Sequence, residues 1–145
     1  MQANELKENG YQEFLAPAKL NLFLHVINKR LDGYHNIQTV FQLIDLYDNL
    51  FIKTNESGLI RRTSHHANIQ ESDDLTIKAA HLLKPFANKQ SGADIFIKKT
   101  IPMGGGLGGG SSDAATALIA LNALWDCQLT QQELQELALK LGADV

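Results

Sequence analysis

Between positions 104 and 110, six of seven residues are glycine, with Leu107 the one exception. Glycine loses more backbone freedom on ordering than any other residue, so such a run weakens a fold unless the missing side chains serve a purpose. One purpose is access, because a backbone without Cβ atoms lets its N–H groups close on an anion. The full segment, Ile101 to Asp113, follows a stretch in which Ala93, Ile95 and Ile97 alternate with Asp94, Phe96 and Lys98. That period of two predicts a half-buried strand. An alanine- and leucine-rich stretch follows, which predicts a helix from about Ser111 to Trp125. A glycine loop running from a strand into a helix brings the helix's unpaired N–H groups and partial positive charge to its mouth. Together these make a phosphate site. Ser111 and Ser112 add hydroxyls and stand where they would cap the helix. Lys98 and Lys99, just upstream, add positive potential.

Two well-known phosphate loops fit poorly. A P-loop needs lysine after its last glycine, and counting from Gly104 that place is taken by Gly110. Gly104, Gly106 and Gly109 formally match the dinucleotide pattern GxGxxG, a weak match in so glycine-rich a run. That motif also wants a following strand that ends in an acid. Here the next predicted element is another helix, and Asp126 lies in the connection. A flexible loop without a ligand is the remaining alternative; the strand-to-helix setting and the paired serines weigh against it.

Upstream, Leu20, Leu22, Leu24 and Val26 alternate with Asn21, Phe23 and His25, which predicts a strand with one buried face and Lys19 and Asn21 on the other. Asp32-Gly33 marks a turn. Further strands are expected over about Gln38 to Ile44 and Leu50 to Lys53, with Phe41 in the core. The polar stretch from Asn55 to Asn68 reads as irregular, with short strand pieces around Leu59 to Arg62 and with His65 and His66 as loop residues that bind no metal. Ser72-Asp73-Asp74 opens a helix that Pro85 ends. Thr130 and Glu133 form a capping box for a last helix, with Leu134, Leu137, Ala138 and Leu141 as its apolar stripe and Gly142 as its end. Strands, helix, strand, helix, helix is an α+β order. The expectation is one domain over residues 1–145, with residues 1–12 a loose polar lead-in.

The formal net charge of −3 argues against a general nucleic-acid binder. Cys127 is the only cysteine, so no internal disulfide supports the fold. No stretch approaches the roughly 18 apolar residues of a membrane span. These features lead to the expectation of a cytoplasmic, non-membrane protein; they leave the oligomeric state open.

Pro102 to Ser112 resembles the ATP-binding motif of the GHMP kinases, the family of galactokinase, homoserine kinase, mevalonate kinase and phosphomevalonate kinase. Ala16-Pro17-Ala18-Lys19-Leu20-Asn21-Leu22-Phe23-Leu24, Asp32-Gly33-Tyr34-His35 and Leu141-Gly142-Ala143-Asp144-Val145 resemble motifs of one branch of that family, whose acceptor is a cytidine-diphosphate-linked methylerythritol. The resemblance implies transfer of the γ-phosphoryl of ATP to the 2-hydroxyl of that small molecule, in the bacterial non-mevalonate route to isoprenoid precursors. It implies a ribosomal-protein-S5-domain-2-like fold. It also implies that this chain is the N-terminal part of a longer enzyme, without the ferredoxin-like C-terminal domain and with little activity alone. ATP would lie on Pro102, Met103, Gly104, Gly105, Gly106, Leu107, Gly108, Gly109, Gly110, Ser111 and Ser112. Asp144 would be the catalytic base and Lys19 its partner, with Asn21, Tyr34 and His35 on the substrate. Mg²⁺ would accompany ATP, held mainly by phosphates and water, with a serine hydroxyl as the one protein ligand left open.

Overall fold

A computed structural model of the chain describes residues 1–65 and 69–145; His66 and Asn68, both placed in a loop by the sequence, lie outside them. The chain order is α1 (Ala3–Glu8), β1 (Gln12–Lys29), β2 (His35–Asn55), β3 (Ile60–Arg62), α2 (Leu75–Leu83), β4 (Gly92–Lys98), α3 (Gly109–Leu124) and α4 (Gln131–Leu141). The sheet order is β1-β2-β4-β3, antiparallel except for the β3–β4 pair, which is parallel. This is the expected α+β class.

The core lies on one face of the sheet. Ala16, Leu50, Ile52, Ala93, Ile95 and Ile97 pack there against Ile77, Ala80 and Leu83 of α2, Ala117, Leu118 and Leu121 of α3, and Leu137 and Ala138 of α4. The alanines of α3 carry little bulk, so this helix can sit close to both the sheet and α2. On the opposite face Phe51 meets Phe96 edge-to-face at 6.3 Å. Residues 1–12, expected as a loose lead-in, instead contain α1, whose Leu6 is fully buried. One apolar side chain and a covering sheet face are enough to order a segment that reads as polar.

The local signals were sound. The β1–β2 turn places Gly33 at φ +88° and lets Asp32 Oδ1 accept a hydrogen bond from the Tyr34 amide at 3.1 Å. Asp74 caps α2 by accepting from the Thr76 amide at 2.9 Å. α2 ends at Leu83, two residues before Pro85. Thr130 and Glu133 form the predicted capping box on α4.

Two expectations for the hairpin fail. The strands expected at Gln38–Ile44 and Leu50–Lys53 are one continuous β2, because Tyr47, Asp48 and Asn49 stay paired with Pro17, Ala16 and Leu15 across a register shift at Pro17/Ala18. Leu20, Leu22, Leu24 and Val26 form no single buried face, because the ladder shifts register between Asn21 and Phe23 and Leu20 and Leu24 pair with Gln42 and Thr39, which point to opposite sides. All four are exposed, Leu22 by 59%, and Phe41 is exposed as well. The distal hairpin extends past the helices, and no described element covers it.

Candidate functional site

The glycine loop takes a left-handed backbone at every second residue: Gly104 has φ +76°, Gly106 +71° and Gly108 +70°. A Cβ at Gly104 or Gly106 would meet nothing within 4 Å, so backbone conformation, not crowding, calls for glycine there. The next pair is different. A Cβ on Gly108 would lie 3.0 Å from Lys19 Cε, and one on Gly109 would lie 3.1 Å from Ile101 Cγ2.

Gly108 is the N-cap of α3, and no side chain caps the helix. The helix therefore starts earlier than expected, and Ser111 and Ser112 sit inside its first turn rather than at the cap. Ser112 N already donates to Gly108 O at 2.8 Å. The first-turn amides ahead of it have no partner within the helix. Every predicted loop residue from Pro102 to Ser111 lines a cavity of about 260 Å³, together with Leu75 and Lys99; Ser112 does not. Leu75, Lys99, Met103 and Gly110 also line a larger cavity of about 820 Å³, so the two adjoin. Ile69, Leu75, Ile97 and Met103 give the larger cavity apolar walls, and Gln70, Asp73, Asp74 and Asp113 polar ones.

Lys19 and Asp144, far apart in sequence, meet beside this loop. Lys19 Nζ lies 3.4 Å from Asp144 Oδ2, with Lys19 mostly buried and Asp144 exposed. Lys19 N donates to Leu107 O at 3.0 Å, which ties β1 to the crest of the glycine loop. Lys19 Nζ is also 6.0 Å from the centre of the Phe41 ring, so Phe41, expected in the core, stands near the pair instead. Asn21 is exposed two residues further along β1, opposite Phe41. Tyr34 and His35 are not brought to the pair. His35 is opposite Lys29 at the hairpin tip, and ten residues of straight strand from Lys19 would span roughly 33 Å.

A buried ionic cluster beneath the loop went unnoticed in the sequence. Asp48 of β2 is fully buried. Its Oδ1 accepts from the amides of Thr100 at 2.5 Å and Ile101 at 2.8 Å. Its Oδ2 accepts from Lys99 Nζ at 2.5 Å, and Lys99 also donates to Asp113 Oδ2 at 2.7 Å. Lys99 is thus committed to two carboxylates rather than free to add positive potential to the loop. Burial opposes its charge, but the two acids outweigh burial and hold its pKa above the ordinary lysine range. Asp113 is pushed up to about 7, first by burial and then by the charges of Asp48 and Asp74, against the pull of Lys99. One ammonium cannot neutralise two buried carboxylates. Asp113 Oδ1 has no hydrogen-bond partner among the described residues. A second buried pair, Arg62 Nη1 to Asp74 Oδ2 at 2.8 Å, fixes the N-terminus of α2 at the wall of the larger cavity.

Comparison with known proteins gives this geometry a family. Residues 74–145 match the GHMP kinases N terminal domain. The chain is 55% identical over 132 residues to 4-diphosphocytidyl-2-C-methyl-D-erythritol kinase of Ruthia magnifica subsp. Calyptogena magnifica, covering 91% of this chain and 46% of that protein. A crystal structure of 4-(cytidine 5'-diphospho)-2C-methyl-D-erythritol kinase superposes with a TM-score of 0.78 at 42% identity, covering 92% of this chain and 47% of the other. Methanococcus jannaschii mevalonate kinase shares the fold, with a TM-score of 0.66 at 17% identity over 93% of this chain and 47% of that one. The chain spans about half the length of the relatives it matches.

Proposed function

We infer, for a chain that belongs to the GHMP kinases through the N-terminal domain at residues 74–145, that it is the nucleotide-holding part of a small-molecule kinase. The whole protein would transfer the γ-phosphoryl of ATP to the 2-hydroxyl of 4-diphosphocytidyl-2-C-methyl-D-erythritol. The observation that carries this reading is the meeting of three things at one place: the uncapped start of α3, the left-handed glycines and the Lys19–Asp144 pair.

Phosphoryl transfer asks little covalent chemistry of the protein; positioning and charge stabilisation dominate. The triphosphate would lie along Pro102 to Ser111, against loop and first-turn amides. The nucleoside would occupy the adjoining cavity of about 820 Å³ between Ile69, Leu75, Ile97 and Met103. Asp144 would take the proton of the acceptor hydroxyl as its oxygen bonds to the γ-phosphorus, and ADP would leave with the bridging oxygen. Lys19 would keep Asp144 ionised and stabilise the charge developing on the acceptor oxygen as its proton leaves. Mg²⁺ would travel with the triphosphate. Ser111 supplies a hydroxyl at the cavity wall, and no group of three His, Cys, Asp or Glu side chains able to hold a metal occurs among the described residues. Asn21, Tyr34 and His35 would meet the cytidine-bearing substrate along the hairpin arm, whose tip is distant from Lys19 in this chain.

Two measurements test the reading. Calorimetric titration of this chain with ATP and with NAD should show heat only for ATP; the reverse would favour a dinucleotide site. In a polypeptide of the relatives' length carrying this segment, Lys19→Ala and Asp144→Ala should each lower turnover by about 10²-fold or more, the usual scale for a positioned acid–base group. Near-normal turnover would remove that residue from the mechanism.

A further inference from the structure

We propose that Asp48 is the positioning residue of the glycine loop, the side chain that holds the loop's two ends together and so aims its amides. The loop begins where β4 ends. Its first two amides after Lys99, those of Thr100 and Ile101, both donate to Asp48 Oδ1, at 2.5 and 2.8 Å. It finishes where α3 begins, at Gly109, and that end closes on the same carboxylate: a Cβ there would lie 3.3 Å from Asp48 Oδ2. Lys99 extends the tie, passing from Asp48 to Asp113 one turn into α3. Asp48 itself does not line the cavity of about 260 Å³ along the loop, so it acts through the backbone it holds. A buried ion pair is a weak source of net stability, because desolvation offsets most of the attraction. Two carboxylates sharing one ammonium is weaker still. Geometry is the better account of why this cluster lies directly under the loop. The crest is held separately, by Lys19 N on Leu107 O, so Asp48 governs the ends and Lys19 the middle.

This inference rests on the nucleotide reading only for its binding consequence. The test uses this chain, with Asp48→Ala, Asp48→Asn and, as a control of matched stability loss, Leu137→Ala in the core beneath α4. Hydrogen exchange of the Thr100 and Ile101 amides and of the first turn of α3 should quicken at least tenfold in Asp48→Ala, with partial rescue in Asp48→Asn, which keeps one acceptor oxygen. ADP affinity, by calorimetry, should fall at least tenfold in the same order. Leu137→Ala should leave ADP affinity unchanged and quicken exchange at those amides less than Asp48→Ala does. If Asp48→Ala does not fold, Asp48→Asn against the parent carries the comparison. Unchanged exchange in a folded Asp48 variant, or equal loss of ADP affinity in Leu137→Ala, overturns the proposal. A parent chain that binds no ADP would count against the nucleotide reading, while the exchange result would still decide the role of Asp48.

Discussion

The two ends of one hairpin have opposite fates. At the base, Leu50 and Ile52 of β2 are fully buried under α2, α3 and α4. At the tip, Leu22, Leu24 and Val40 sit on the same two strands and are exposed. Both stretches are paired strand for strand. The difference lies entirely in what covers them. Alternation says that a strand has two kinds of face; burial requires a second layer, which is supplied from elsewhere in the chain.

Mutations at the two ends should differ accordingly. The largest effect is expected for Leu50→Ala, which leaves a cavity among helices and sheet and should lower the unfolding free energy by about 2–5 kcal/mol in urea denaturation. A smaller loss would mean that the base is as loosely packed as the arm. Next comes the buried acid of the base. Asp113 has a native pKa of about 7, above its unfolded value, so the folded chain binds the extra proton between the two. Its contribution to stability is therefore present at low pH and lost as pH rises from about 4 to about 7, by up to about 1.4 kcal/mol per unit. Asp113→Asn should remove that slope, so the variant gains on the parent as pH rises; parallel curves would show that Asp113 titrates normally. Gly106→Ala should cost about 1–2 kcal/mol from left-handed strain alone, whereas Gly105→Ala, which meets only ordinary contacts, should cost less than half of that. Equal costs would mean that the loop readily changes its backbone. The smallest effect is expected for Leu22→Ala on the arm, within about 0.5 kcal/mol in the same urea measurement. A loss comparable to that of Leu50→Ala would erase the contrast between tip and base.

What was legible in the sequence was local. The Thr130–Glu133 box, the Asp32-Gly33 turn and the strand–glycine–helix passage each depend on residues within a few positions of one another, and each formed as expected. The Lys19–Asp144 meeting came from resemblance, since no spacing rule joins residues so far apart. Asp48 was passed over because, in sequence, it is one acid among polar neighbours; its partners Thr100, Ile101 and Lys99 lie a sheet pairing away. Leu6 was missed because a single apolar residue in a polar stretch has no periodicity. The helix start was misplaced because serine is the commoner cap, and a left-handed glycine at Gly108 does the job without a side chain.

The bridge from Lys19 to Asp144 ties the first strand of the sheet to the last residues that follow α4. A contact of such sequence separation is non-local, so the entropy of closing the long stretch between its partners has to be met before the contact repays it. No single element therefore carries both proposed chemical groups, and the packed fold is what brings them within 3.4 Å of each other.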